Sequence, residues 1–149
     1  FNLITNKFEQ DDFDKDVNLL NGSWVDNKIT DEEIKDYYHN ADLTIIPLIE
    51  TLQPSGQSVA LQSIACGTPV LITRTSGFWD TSKFKNKDKI IFFEKNDTDQ
   101  WLKQIETIYK DKNLLLKIRE NGLKTVESNY SLSGFYKNLK NAPLLIVGL

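Results

Sequence analysis

Ser55, Gly56, Gln57, Ser58 and Val59 stand where an apolar helical run begins, and their types suit the binding of an anion. The first backbone N–H groups of a helix have no partner inside it, and the helix dipole adds roughly half a positive charge there. Small residues at that point leave room for a phosphate to dock on the amides. Ser55 is the expected N-cap, Gly56 to Cys66 the helix, Gly67 its C′ residue, and Pro69 the stop before a new strand. On this reading Gly56 admits the anion, so Gly56→Val obstructs binding while the fold persists, and Ser55→Ala costs about 1 kcal/mol of cap stability. A well-capped structural helix needs the same residues, and the Ser-Gly pair alone does not separate the two.

Other reactive side chains point to little chemistry. Cys66 is the one cysteine, so no internal disulfide forms, and its apolar neighbours in "IACG" give the expectation of a small buried core residue rather than a nucleophile. His39 is the one histidine, and nothing in the sequence converges on it to make a metal site or a general base. Asp11, Asp12, Asp14 and Asp16 lack the ligand spacing and turn glycine of a calcium loop and read as a solvated acidic segment. Trp79 and Asp80, in "TSGFWD" after a strand, suit either a ligand contact at the sheet's carboxyl end or packing under a loop.

The elements that must position these residues alternate. "FNLIT" (1–5), "VNLLNG" (17–22), "LTIIPL" (43–48), "PVLIT" (69–73) and "KIIFF" (89–93) are apolar runs bounded by polar residues or glycine. Continuous rather than alternating runs suit parallel strands covered on both faces. Helices intervene with clear starts: Thr30 with Glu33 and Asp97 with Gln100 each have the spacing of a capping box. From Asn113 to Asn129 and from Ser131 to Lys140 the pattern is purely helical. The expected fold is therefore α/β, a doubly wound, Rossmann-like, mostly parallel sheet with helices on both faces and an all-helical C-terminal part. In such sheets ligands bind at the carboxyl ends of strands, where the Ser55 helix start falls.

A chain of 149 residues with a net charge of −3 and mixed charges offers no nucleic-acid groove. No apolar run approaches the roughly 20 residues of a membrane-spanning helix. With the single cysteine, this points to a reducing, cytoplasmic setting. There is no methionine, not even at position 1, which gives the expectation of a piece of a longer protein.

The order "HNADLTIIPL", a variable loop, then "PSGQSVALQSIACGTPVLITRTSGFWD" resembles the donor-binding half of retaining glycosyltransferases of the GT-B fold. The family usually has Glu-Gly-Phe-Gly-Leu-x-x-x-Glu-Ala-Met-Ala-Cys-Gly-x-Pro-Val at this place. The resemblance extends from about Phe1 to Leu139, which makes residues 1–140 a donor-binding domain lacking its first strand. Residues 141–149 have an apolar centre that reads as a strand. Two placements stay open for them: the slot of that missing strand, or an end outside the fold.

The resemblance implies a transferase, of hexosyltransferase type in the intact parent, that moves a sugar from a nucleoside diphosphate sugar to an acceptor hydroxyl with retention. It implies polysaccharide-building chemistry and no metal or other cofactor. Ser55, Gly56, Gln57, Ser58 and Val59 would hold the donor diphosphate, and the family's ribose-binding Glu falls on Gln62, one helical turn from Ser58. Glutamine keeps an acceptor but loses the strength of a carboxylate. The family's first Glu, which touches the donor sugar, falls on Pro54, so Glu50 or Gln53 must supply that contact or it is absent. The resemblance also implies an acceptor-binding N-terminal domain in the same parent chain, together with the cations that clamp the diphosphate. The rival reading is a noncatalytic nucleotide-binding or interaction module on the same fold.

Overall fold

In a computed structural model, which describes residues 2–5, 10–12, 14–21, 29–94 and 97–141, the apolar runs become five short strands. The chain divides into two compact units, residues 1–37 and residues 38–149.

The first unit contains β1 (Asn2–Thr5) and β2 (Asn18–Asn21), paired in parallel from Asn2 against Asn18 to Thr5 against Asn21. The Asn18 side-chain amide donates to Asn2 Oδ1 across this pair. A single 3-10 turn, Gln10–Asp12, lies between them, and Asp11, Asp12, Asp14 and Asp16 are all exposed. Helix α1 (Asp31–Asn40) begins in this unit at the expected capping box. The Thr30 N–H donates to Glu33 Oε2 at 2.8 Å and the Glu33 N–H donates back to Thr30 Oγ1 at 3.2 Å. The Thr30 N–H bond and a second bond to Glu33 Oε2 from the Thr30 hydroxyl, at 3.0 Å, hold the Glu33 carboxyl below its ordinary range.

The second unit is built on β3 (Thr44–Ile46), β4 (Val70–Thr73) and β5 (Ile91–Phe93), all parallel, with β4 in the centre. Its helices are α2 (Gln57–Ala65), α3 (Thr98–Lys110), α4 (Lys112–Asn129) and α5 (Leu132–Asn141). Because successive strand side chains point to opposite faces, the unbroken apolar runs serve two cores at once. Val70, Ile72, Ile90 and Phe92 pack with Ile64 of α2, Val126 of α4 and the Phe78–Phe84 loop. Leu71, Ile91 and Phe93 pack with Trp101 and Ile108 of α3 and Leu115 and Ile118 of α4. Trp101 stacks on Phe93 with ring centroids 4.0 Å apart. The α/β, Rossmann-like expectation holds, with its parallel pairs in two sheets: β1–β2 and β3–β4–β5.

Two local expectations change. The N-cap of α2 is Gly56, not Ser55, and no side chain caps this helix. Gly56 sits at φ 69°, a left-handed turn, so the chain enters the helix one residue later than the serine suggested. Cys66 is half-buried rather than part of the core, because it closes α2, its N–H donating to the Gln62 and Ser63 carbonyls. β4 reaches β5 through turns, with a bridge between Asn86 and Ile90. Gly67 does take the expected left-handed C′ conformation, at φ 78°. Residues 142–149, most of the tail read as a strand, lie outside the described residues.

Candidate functional site

Parallel pairing puts the carboxyl ends of β3, β4 and β5 on one edge of their sheet, and the loops leaving that edge carry most of the residues singled out by the sequence. The loop after β3 is laced to the loop after β4. Leu48 donates its N–H to Thr73 Oγ1 at 2.9 Å, and Gly77 donates its own to the Thr51 carbonyl at 2.8 Å. Gly77 lies so close that a Cβ there would stand 2.5 Å from the Leu52 carbonyl carbon. The Ser76 N–H donates to Glu50 Oε1 at 2.8 Å, and this bond holds the exposed Glu50 carboxyl below its ordinary range.

From this braced loop the chain turns through Gly56 into α2. A Cβ at Gly56 would lie 3.1 Å from both Ile46 Cγ2 and Ile72 Cδ1 and 3.3 Å from Leu48 Cδ1. The inner side of the turn is therefore filled by strand side chains, and the expectation that Gly56→Val spares the fold is overturned. Its first helical bond is donated by Ala60 to the Gly56 carbonyl at 2.9 Å. The N–H groups of Gln57, Ser58 and Val59 thus precede the intrahelical ladder, and no side chain caps them. The side chains of these three residues and of Gln62 are exposed, Ser58 and Gln62 being one turn apart. The helix start is therefore open toward solvent at the edge where a doubly wound sheet takes its ligands.

The structure brings Gly56, Gln57, Ser58, Val59 and Gln62 onto the first two turns of α2, with Ser55 half-buried just before them. Glu50 stands on the neighbouring loop as a brace to Ser76. Gln53 and Pro54 are exposed on that loop, and the Gln53 N–H bonds to Thr51 Oγ1.

Arg74, directly after β4 on the same edge, is a cation that sequence reading missed. Its guanidinium pairs with Glu94, after β5, at 3.5 Å and lies 5.8 Å from the Phe92 ring centroid. Its signal was its place, one residue beyond the end of a central strand. At β5, Phe92, Phe93 and Glu94 border a hollow of about 340 Å³ with Gln100 and Gln104 of α3.

Trp79 and Asp80, open in the sequence between ligand contact and packing, are packed. Trp79 lies 4.0 Å from Phe78 and 5.8 Å from Phe84, centroid to centroid. Asp80 accepts from Tyr130 Oη and Ser82 Oγ, both at 2.6 Å, and from the Lys83 N–H at 3.0 Å, and it pairs with the Lys83 ammonium at 3.2 Å. Burial pushes its carboxyl up, but these bonds outweigh burial and hold it well below the usual carboxylate range. Tyr130 is pushed the other way, by burial and by the carboxylate it donates to. This cluster ties the end of α4 to the loop after β4.

Residues 14–125 match the sequence profile of the family described as "Glycosyl transferases group 1". The chain belongs to this family. No curated protein sequence matches it. Among solved structures, it is similar to the C-terminal domain of a glycosyl transferase group 1 family protein from Francisella tularensis, with a TM-score of 0.61 at 19% identity. That match covers 80% of this chain and 56% of the other. A glycosyltransferase from Rickettsia africae gives 0.62 at 20% identity, and sucrose-phosphate synthase from Thermosynechococcus elongatus gives 0.60 at 19%. Each of those two matches covers 85% of this chain and 31% of the other, so the chain spans about a third of their length. At these identities the likeness concerns the fold. No helix among the described residues of this group 1 chain is long and apolar enough to cross a membrane.

Proposed function

We propose that this chain is the donor-binding part of a retaining glycosyltransferase that takes a nucleoside diphosphate sugar and passes its sugar to an acceptor hydroxyl. The observation that carries this reading is the start of α2: amides of Gln57, Ser58 and Val59 that no side chain caps, at the carboxyl edge of a parallel sheet in a group 1 chain. In this reading those amides receive the donor diphosphate and stabilise the charge that grows on it as the sugar leaves. Ser58 Oγ adds a donor, and Gln62 holds the ribose hydroxyls through its amide oxygen.

Glu50 serves as the brace between loops, which leaves Gln53 and Pro54 beside the donor sugar. Residues 1–140 are the donor domain, and the acceptor site, with further cations to clamp the diphosphate, belongs to an N-terminal domain of the same parent. No metal or other cofactor enters the scheme. The setting is the cytoplasm, and the chemistry is polysaccharide building by hexosyl transfer. A noncatalytic binding module is the second reading, favoured by the substitution of both family Glu positions, at Pro54 and Gln62.

The test is a calorimetric titration with a panel of nucleoside diphosphates and their sugars against two variants. Ser58→Asp places a carboxylate where the phosphate docks, so affinity falls at least about tenfold while the helix dipole adds about 0.3–1 kcal/mol to stability. Gln62→Ala weakens binding by about 0.5–1.5 kcal/mol at unchanged stability. Unaltered affinity in Ser58→Asp would sink the reading, and sugar transfer by the intact parent distinguishes enzyme from binding module.

A further inference from the structure

The opposite edge of the three-stranded sheet carries a second concave feature, with side chains of another kind. Where β3 and β4 begin, the ends of α1 and α2 meet α4 around a cleft of about 330 Å³, within the size range of small-ligand sites. Three basic side chains line it: His39, Lys112 and Arg119. One carboxylate lines it with them, Asp42, which accepts from Tyr109 Oη at 3.5 Å. The Lys112 ammonium lies 4.0 Å from the centroid of that same Tyr109 ring. Asp111, next in sequence to Lys112, turns its carboxylate to the Leu114 N–H as the cap of α4.

Arg119 reaches the Gly67 side of the cleft. Its guanidinium lies over Gly67, where a Cβ would stand 3.2 Å from Nε and 3.4 Å from Nη2. The left-handed turn at φ 78° thus puts a residue without a side chain under a planar cation. Among the described residues no carboxylate pairs with this guanidinium. At the Gly67 turn the Gly67 N–H is taken by the Ile64 carbonyl and the Thr68 N–H by the Ser63 carbonyl. What the cleft presents is therefore charge from side chains, on a chain whose net charge is −3.

The geometry points to a second anion site here, for a small soluble phosphate compound, with Arg119 offering its fork to the phosphate oxygens and Lys112 a point charge beside it. A guanidinium matches two oxygens of a tetrahedral anion at once, which a lysine alone does not. The site is separate from the start of α2, and its occupancy does not rest on the donor reading.

The experiment is a titration of the ¹⁵N-labelled full chain with inorganic phosphate, followed by amide and arginine Nε resonances at constant ionic strength. The expected result is a saturating shift at Gly67, Thr68 and Arg119 Nε, distinct from any shift at Gln57, Ser58 and Val59. In the Lys112→Gln, Arg119→Gln double variant the affinity read at Gly67 falls at least about tenfold, while Ser58→Asp leaves it unchanged. The same spectra report whether each variant is folded, and Lys112→Gln alone, at an exposed position, gives a smaller loss in the same direction. The proposal is overturned if phosphate leaves the Gly67 cluster unmoved, if the double variant binds as the wild type does, or if sodium chloride alone reproduces the shifts. Because the two ends of the sheet are read on different resonances, failure at Gly67 and failure at the start of α2 are told apart.

Discussion

Three helices of the second unit begin in two different ways. At α3, Asp97 accepts from the Gln100 N–H at 3.1 Å, and at α4, Asp111 accepts from the Leu114 N–H at 3.0 Å. At α2 a left-handed glycine stands in the cap position and no side chain reaches the amides. A carboxylate cap occupies the place an external anion would take, and it satisfies the same orphan donors. The capped starts are complete by themselves, whereas the α2 start has no side-chain cap, at the edge where loops converge. Asp80, Asp97 and Asp111 are engaged at structural posts, and the first turn of α2 contains no carboxylate.

The sharpest way to break this contrast is Gly56→Val. A β-branched residue at φ 69° is strained, and its side chain would drive into Ile46, Ile72 and Leu48, so stability falls by about 3 kcal/mol or more in a urea titration. A variant that melts like the wild type would mean that the turn is not held by the core.

Asp80→Asn comes next, with a loss on the order of 1.5 kcal/mol at pH 7 from weakened bonds to Tyr130, Ser82 and Lys83. The pH dependence has a definite sign. The folded carboxyl titrates below its ordinary value of 3.8, so its contribution is complete above that pH and is lost as the pH falls through the folded value. Acid melts should therefore show wild-type stability dropping more steeply below about pH 4 than that of Asp80→Asn. Parallel curves would assign the acid sensitivity to other groups.

The smallest effects separate the two kinds of helix start directly. Asp111→Ala removes a side-chain cap and costs about 1 kcal/mol, while Ser55→Ala removes none and stays within about 0.5 kcal/mol. Equal losses in paired thermal melts would restore Ser55 as a cap and close the α2 amides to a ligand.

Much of this was legible in the chain because the deciding interactions are local. Thr30 and Glu33 announce α1, Asp97 announces α3, and Gly67 marks the end of α2, since caps and left-handed turns depend on residues a few places apart. The unbroken runs 69–73 and 89–93 disclosed strands covered on both faces, because polar residues have no place where neither face meets water.

Where two segments distant in sequence had to meet, the chain alone could not decide. Ser55 and Gly56 were both acceptable caps until Ile46, Leu48 and Ile72 filled the inner side of the turn. Glu50 became a brace only through Ser76, twenty-six positions away, and Asp80 a structural carboxylate only through Tyr130, fifty positions away. The cationic cleft depends on the approach of α4 to the Gly67 turn, which lays Arg119 across a residue that local pattern had read solely as a helix stop. Composition and period set which elements form, whereas the close packing of those elements decided which polar groups find partners and which remain open to a ligand.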